Sequence, residues 1–159
     1  MVVLSECSLS VTMVVILLME VCIVATKKKT ITKKSSRSKA RVAYVDGFVL
    51  QVPKKNIAAY RKIAGKAGKI WIEHGALSYV ESCGDDLKIK GITRTFLKLA
   101  RPKPSEVVIF AFVTYPSKAE RNRVNRLVMS DPRMNEMMPK PIFDMKKMAY
   151  GGFKALVSL

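Results

Sequence analysis

Residues 106–115, EVVIFAFVTY, decide how this chain folds. The stretch is built from β-branched and aromatic side chains and is bounded by Pro104 and Pro116, so it reads as a strand. Strand alternation places Val107, Ile109, Ala111, Val113 and Tyr115 on one face and Val108, Phe110, Phe112 and Thr114 on the other. Both faces are apolar, and a sheet built around this strand must be covered on both sides.

Working outward, the next signals alternate between strand and helix. Tyr44–Val52, YVDGFVLQV, is rich in β-formers and stops at Pro53. Residues 53–74 follow as one amphipathic helix, with Ile57, Tyr60, Ile63, Ala64, Ala67, Ile70, Trp71 and His74 along one face. Pro53 suits its first turn and Gly75 the position just past its end, while Gly65 and Gly68 weaken it locally. Leu77–Cys83 is a second strand, closed by the turn signal Gly84-Asp85-Asp86. Thr93–Ala100 is expected to add a short strand.

On the C-terminal side, Ser117-Lys118-Ala119-Glu120 is a capping box that opens a helix running to about Met129. Ser130-Asp131-Pro132 breaks that helix and caps a shorter one through Met138. A Pro-containing loop at 139–144 leads to a last strand, Tyr150–Leu159, where Gly151 and Gly152 mark a bulge or a close backbone approach. The order strand, helix, strand, strand, helix, strand is that of a ferredoxin-like βαββαβ unit of the α+β class. Two helices in a unit this small cover one sheet face. The other face is expected to meet a second copy, giving a homodimer.

Composition sets the bounds. The 159 residues suffice for one domain with a real core, and the abundance of Leu, Ile, Val, Phe and Met argues against disorder throughout. The formal charge of +17 is spread along the chain: eight Lys/Arg and two Glu precede Tyr44, and 21 Lys/Arg and ten Asp/Glu follow. Such a surface attracts anions. Without a base-reading motif, any nucleic-acid binding is expected to be nonspecific. Of the three cysteines only Cys83 lies beyond residue 43, which points away from a stapled secreted scaffold and toward the reducing cytoplasm.

Residues 1–43 do not read like the rest. Leu9–Ala25, LSVTMVVILLMEVCIVA, is an apolar run interrupted by Glu20 and followed by the basic stretch KKKTITKKSSRSKAR. A spanning helix needs about 20 apolar residues, and a charge at its middle is costly. A secretory leader carries positive charge ahead of its apolar run, whereas residues 1–26 contain no Lys or Arg. If residues 9–25 do anchor the chain in an inner membrane, the flanking lysines keep the domain in the cytoplasm.

From Tyr44 onward the chain resembles the YbaA-like family of uncharacterised proteins, a domain of unknown function. The resemblance is carried by YVDGF at 44–48, EHGAL at 73–77 with Tyr79 and Glu81, GDD at 84–86 and EVV at 106–108. It continues through YPSKAERN at 115–122, MSDPRM at 129–134, FD at 143–144 and YGGF at 150–153. It implies the dimeric α+β barrel fold and no particular chemistry. Where family members resemble Met-Pro-Phe-Asp-Gly, this chain has Pro141-Ile142-Phe143-Asp144-Met145, which alters the loop and any pocket it lines. Relatives resembling this chain begin one or two residues before YVDGF. The resemblance therefore implies that residues 1–41 are not in the natural protein and that translation starts at Val42, with the membrane anchor as the rival reading.

Candidate chemistry is sparse. His74 is the only histidine, which excludes multi-histidine metal sites; it reads either as a hydrogen-bonded structural group or as a ligand or proton-transfer group. Asp46, within an apolar strand, either faces a cavity, where burial would raise its pKa, or bonds to nearby backbone. Glu81, Cys83, Asp85 and Asp86 lack a second soft or imidazole ligand, so a turn is enough explanation and no metal is assigned. Trp71 and Tyr79 fit a core better than a stacking platform. Arg121, Arg123, Arg126 and Arg133 form a basic helical face, the natural place for nonspecific nucleic-acid contact. No nucleophile–base order, phosphate loop or dinucleotide fingerprint is present, and no cofactor is expected. Three function classes follow: a small-molecule-binding protein or cofactor-independent enzyme, a nonenzymatic interaction module, or a nucleic-acid binder. In the first, the pocket lies between the first helix and the sheet, with Asp46, Trp71, His74, Tyr79 and Glu81 as candidate lining.

Overall fold

Glu106–Tyr115 is an interior strand of a four-stranded antiparallel sheet, the position its two apolar faces suit. The computed structural model describes residues 41–137 and 141–159, and the following refers to those residues. The strands are β1 (Tyr44–Pro53), β2 (Ser78–Cys83), β3 (Glu106–Tyr115) and β4 (Ala149–Lys154), in spatial order β2-β3-β1-β4. The helices are α1 (Ile57–Glu73), α2 (Phe96–Ala100), α3 (Lys118–Met129) and α4 (Pro132–Met137). The chain is therefore α+β. The readings of the apolar run at 9–25, its basic flank and most of the 1–43 extension lie outside the described residues, as do 138–140. Among the described residues no helix is long and apolar enough to cross a membrane.

Register fixes what each face carries. Asp46 pairs with Val113, Leu50 with Ile109 and Tyr79 with Val113, so the odd residues of β3 share a face with the even residues of β1. That face receives α1 and α3. Ala67, Ile70 and Trp71 of α1 pack with Val113 and Tyr115 and with Val124 and Val128 of α3 in one core cluster. Leu50, Val52, Tyr60, Ala64 and Ile109 form a second cluster toward the other end.

The Thr93–Ala100 strand is corrected to a helix. Thr95 holds an extended N-cap conformation and its hydroxyl accepts from the Lys98 N–H. Arg101 then turns left-handed at φ 50° before Pro102, ending the segment. Thr and Phe suggested a strand, but Leu97 and Ala100 are three apart and share a helical face. That face meets Val49 and Val108 on the sheet side away from α1, and Gln51 donates to the Ala100 carbonyl, tying α2 to β1. The second sheet face is thus covered at one end. Phe110 and Phe153 remain exposed on it.

Smaller differences have local causes. Pro53 ends β1, a 3-10 turn occupies Lys54–Asn56, and α1 begins at Ile57, four residues later than its apolar spacing suggested. Gly75 stands just past the helix with φ 112°, where a side chain would be strained. Ser117 caps α3 by accepting from the Glu120 N–H at 3.0 Å, but Glu120 turns to Arg123 instead of reaching back. β4 stops at Lys154 and pairs with β1 in unbroken register, so Gly151 and Gly152 form no bulge. They mark close approach: a Cβ at Gly152 would stand 2.6 Å from the Tyr44 hydroxyl and 2.7 Å from an Arg121 nitrogen.

Candidate functional site

Along the edge of the sheet, α1 and β2 stand apart far enough to leave a groove of about 1080 Å³. Two glycines shape its helical wall. Gly68 is buried against the Tyr79 ring, where a Cβ would come within 2.6 Å, so the glycine admits the ring. Gly65 faces open space, with nothing within 4 Å of an added Cβ.

The polar centre of the groove comes from three side chains. Tyr79 and Glu81 are two apart on β2 and therefore project to the same side. Tyr79 Oη donates to Glu81 Oε1 at 2.7 Å, and Tyr60 Oη, from α1, donates to Oε2 at 2.7 Å. Burial, then the Glu81 charge and the hydrogen bond to it, push both phenols well above the usual tyrosine range. Both remain neutral donors. None of the ion pairs among the described residues involves Glu81, although the chain holds 29 Lys/Arg against 12 Asp/Glu. Arg61 and Lys69 line the groove as exposed helix residues.

The five candidate pocket residues are not brought together. Tyr79 and Glu81 line the groove. Asp46 is fully buried in a separate closed network. Its Oδ1 accepts from Arg121 Nε at 2.9 Å, and its Oδ2 from Asn125 at 3.4 Å and from the Tyr115 hydroxyl at 3.3 Å. That hydroxyl shares its one proton with Asn125 Oδ1 at 3.1 Å. Asp46 therefore meets a cation and two donors instead of a cavity or its own backbone. Burial works against the Arg121 charge, but the hydrogen bond and charge of Asp46 outweigh it and raise the Arg121 pKa. Burial, then Asp46, raises Tyr115.

Trp71 is core, edge-on to Tyr115 with ring centroids 6.4 Å apart. His74 closes α1 and pairs through Nε2 with Asp131 Oδ2 at 2.9 Å. Arg133 and then His74 hold the Asp131 carboxyl well below the usual range through hydrogen bonds.

The proposed basic face is largely neutralised. Arg121 pairs with Asp46, Arg123 with Glu120, and Arg133 with both Glu73 and Asp131. Only Arg126 of the four makes no ion pair among the described residues. Cys83 is a free, exposed thiol, and no group of three or more His, Cys, Asp or Glu side chains among the described residues is placed to hold a metal.

Sequence reading missed Tyr60, Tyr115, Asn125 and Tyr150 as polar partners. Tyr60 looks like one more apolar residue on the helix face, and only its contact with β2 gives its hydroxyl a role. Arg121 and Asn125, four apart on α3, carried a legible signal: both lie on one helical face, and Asn125 is 3% exposed.

The family model described as "Protein of unknown function (DUF1428)" matches residues 43–145. The chain is also 41% identical over 114 residues to "Uncharacterized protein YbaA" of Escherichia coli strain K12, covering 72% of this chain and 97% of that relative. The protein of the same name from Shigella flexneri matches with the same identity and coverage. A family match over residues 43–145, with a relative this similar nearly end to end, means that the chain belongs to the YbaA-like DUF1428 family.

Proposed function

We propose that this protein is a homodimer of ferredoxin-like units, closed into a dimeric α+β barrel, that binds a small molecule in the groove between α1 and β2. The observation that carries the binding reading is the Glu81 carboxylate, fixed by two phenols inside a groove and in no ion pair among the described residues. Ligand sites are concave, mostly apolar and furnished with a few convergent polar groups, and this groove has that make-up. Ile109, Ala111, Val113 and Tyr115 on the helix-facing side of β3 are buried, whereas Phe110 is 40% and Phe153 61% exposed on the opposite face. There Phe110 packs against Phe96 and Phe112, and the Phe153 ring lies over Gly47 and Gly151, making a flat apolar strip. A second copy of the same strip is the complementary cover. The nucleic-acid reading has less support, because three of its four arginines are held by carboxylates.

Two measurements test the proposal. Light scattering at micromolar concentration is expected to give the mass of two chains, and a monodisperse monomer overturns the dimer. For the groove, thermal unfolding with a panel of small amines, acids and alcohols is run on the protein and on Gly65→Trp. The position is open, so the indole fills the groove with the fold intact. A compound that raises Tm in the first and not in the second supports the groove; equal shifts in both, or none in either, overturn it.

A further inference from the structure

We infer that the ligand of the α1–β2 groove is a primary amine on a small apolar body, held through its ammonium by the Glu81 carboxylate and the Tyr60 and Tyr79 hydroxyl oxygens. This rests on the groove reading above and adds the chemical class. A tyrosine hydroxyl has a single proton to give, and both Tyr60 and Tyr79 give theirs to Glu81. The phenolic oxygens keep lone pairs, and the carboxylate keeps acceptor capacity beyond the two bonds it receives. The cluster is therefore all acceptor. A carboxylic acid, phosphate or ketone finds no donor in it, while an ammonium offers three.

Charge argues the same way. Asp46, Glu73, Glu120 and Asp131 each have a cation, whereas Glu81, like Asp85, Asp86, Glu106, Glu136 and Asp144, makes no ion pair among the described residues. Unlike those five, Glu81 lines the groove and is bonded by two phenols. Arg61 and Lys69 also line the groove, but neither forms an ion pair with Glu81. A carboxylate partly removed from water and fixed in place by two neutral donors presents its charge to whatever enters. The apolar part of the remaining lining sets the body of the ligand, while Arg61, Lys69 and Glu73 line the same groove as exposed helix residues. Ile57, Ala64, Gly65, Ile72 and Ile109 are apolar, and the bare Gly65 backbone leaves width for a ring.

The bulk field of the protein favours anions, so a preference for ammonium over carboxylate isolates the local effect of Glu81. Three probes that share one phenethyl body serve: phenethylamine, phenethyl alcohol and hydrocinnamate, titrated into the full chain by calorimetry and by NMR. Phenethylamine is expected to bind at least about tenfold tighter than the alcohol, the range of a charge-assisted hydrogen bond. Hydrocinnamate is expected to bind more weakly than either. Glu81→Gln is expected to lower the amine affinity by about tenfold or more and to leave the alcohol within a few-fold. Tyr79→Phe, which keeps the carboxylate, is expected to cost less. The three-probe ranking on the unmodified chain decides the matter even where a variant does not fold. Hydrocinnamate or the alcohol binding as tightly as the amine, with loss in Gly65→Trp, overturns the ligand class and leaves the groove standing. No probe binding more tightly than it does to Gly65→Trp overturns both.

Discussion

Asp46 and Glu81 lie on the same face of one sheet, on either side of β3, and each accepts hydrogen bonds from buried tyrosine. They differ in what else reaches them. Asp46 sits on an interior strand beneath α3, where Arg121 supplies a cation and Asn125 a further donor, and it is closed from solvent. Glu81 sits on the edge strand β2, beside the wide gap to α1, and receives two phenols and no cation among the described residues. The same residue types thus make a structural clamp in one place and a half-buried acceptor beside a groove in the other. Position in the sheet decides which. An interior strand is covered by packed elements that bring partners, whereas an edge strand leaves one flank open.

Alkali breaks the comparison most completely. Tyr60, Tyr79, Tyr115 and Tyr150 all have pKa values raised by burial first and then by a neighbouring carboxylate. For Tyr150 the value rises from 10.0 to about 12. A phenol whose folded pKa is raised stabilises the native state while neutral. Its contribution is whole below pH 10.0 and is lost as pH rises through about 12. Phenolate absorbance followed together with circular dichroism is expected to show Tyr60, Tyr79 and Tyr115 ionising only as the fold is lost. Ionisation of three phenols in a protein with native dichroism would contradict both clusters.

Removing the cation of the closed cluster is next in size. Arg121→Met strands Asp46 in the interior, and breaking a buried pair from one side costs about 3–5 kcal/mol. Urea unfolding is expected to show that loss. A loss below about 1 kcal/mol would mean that Asp46 finds another partner.

The two groove glycines sharpen the contrast on the open side. In Gly68→Ala the added methyl overlaps the Tyr79 ring at 2.6 Å, so the ring must move. Overpacking of about 1–3 kcal/mol opposes a helix-propensity gain of about 1 kcal/mol. The net expected is a small loss of stability together with weaker groove binding. Gly65→Ala has no such neighbour, and it is expected to stabilise the helix by about 0.5–1 kcal/mol. Equal urea midpoints for the two variants would show that Tyr79 does not rest on α1.

Much of this was legible beforehand. The α+β class, the four strands that pair, α1, α3 and the Ser117 cap follow from periods of 2 and 3.6 and from cap chemistry, which are properties of neighbouring residues. Where two local signals competed, reading was harder. In Thr93–Ala100 the β-formers outvoted the three-residue spacing of Leu97 and Ala100, and the Thr95 cap settled the segment as helix. The pocket was half legible, because Tyr79 and Glu81 share a strand face by alternation alone.

Local sequence pattern set the four strands, α1, α3 and α4, misreading Thr93–Ala100 as a strand, and it set which sides of these elements are apolar. Each of these rests on side chains a few residues apart along a regular backbone. Packing of the helices on the sheet was needed to join Glu81 to Tyr60 across 21 residues and Asp46 to Arg121 across 75. Packing likewise sets His74 on Asp131 and not on Asp46 or Glu81. Hydrogen bonds between distant residues depend on how the helices pack on the sheet, and the periodicity of each element carries no record of that.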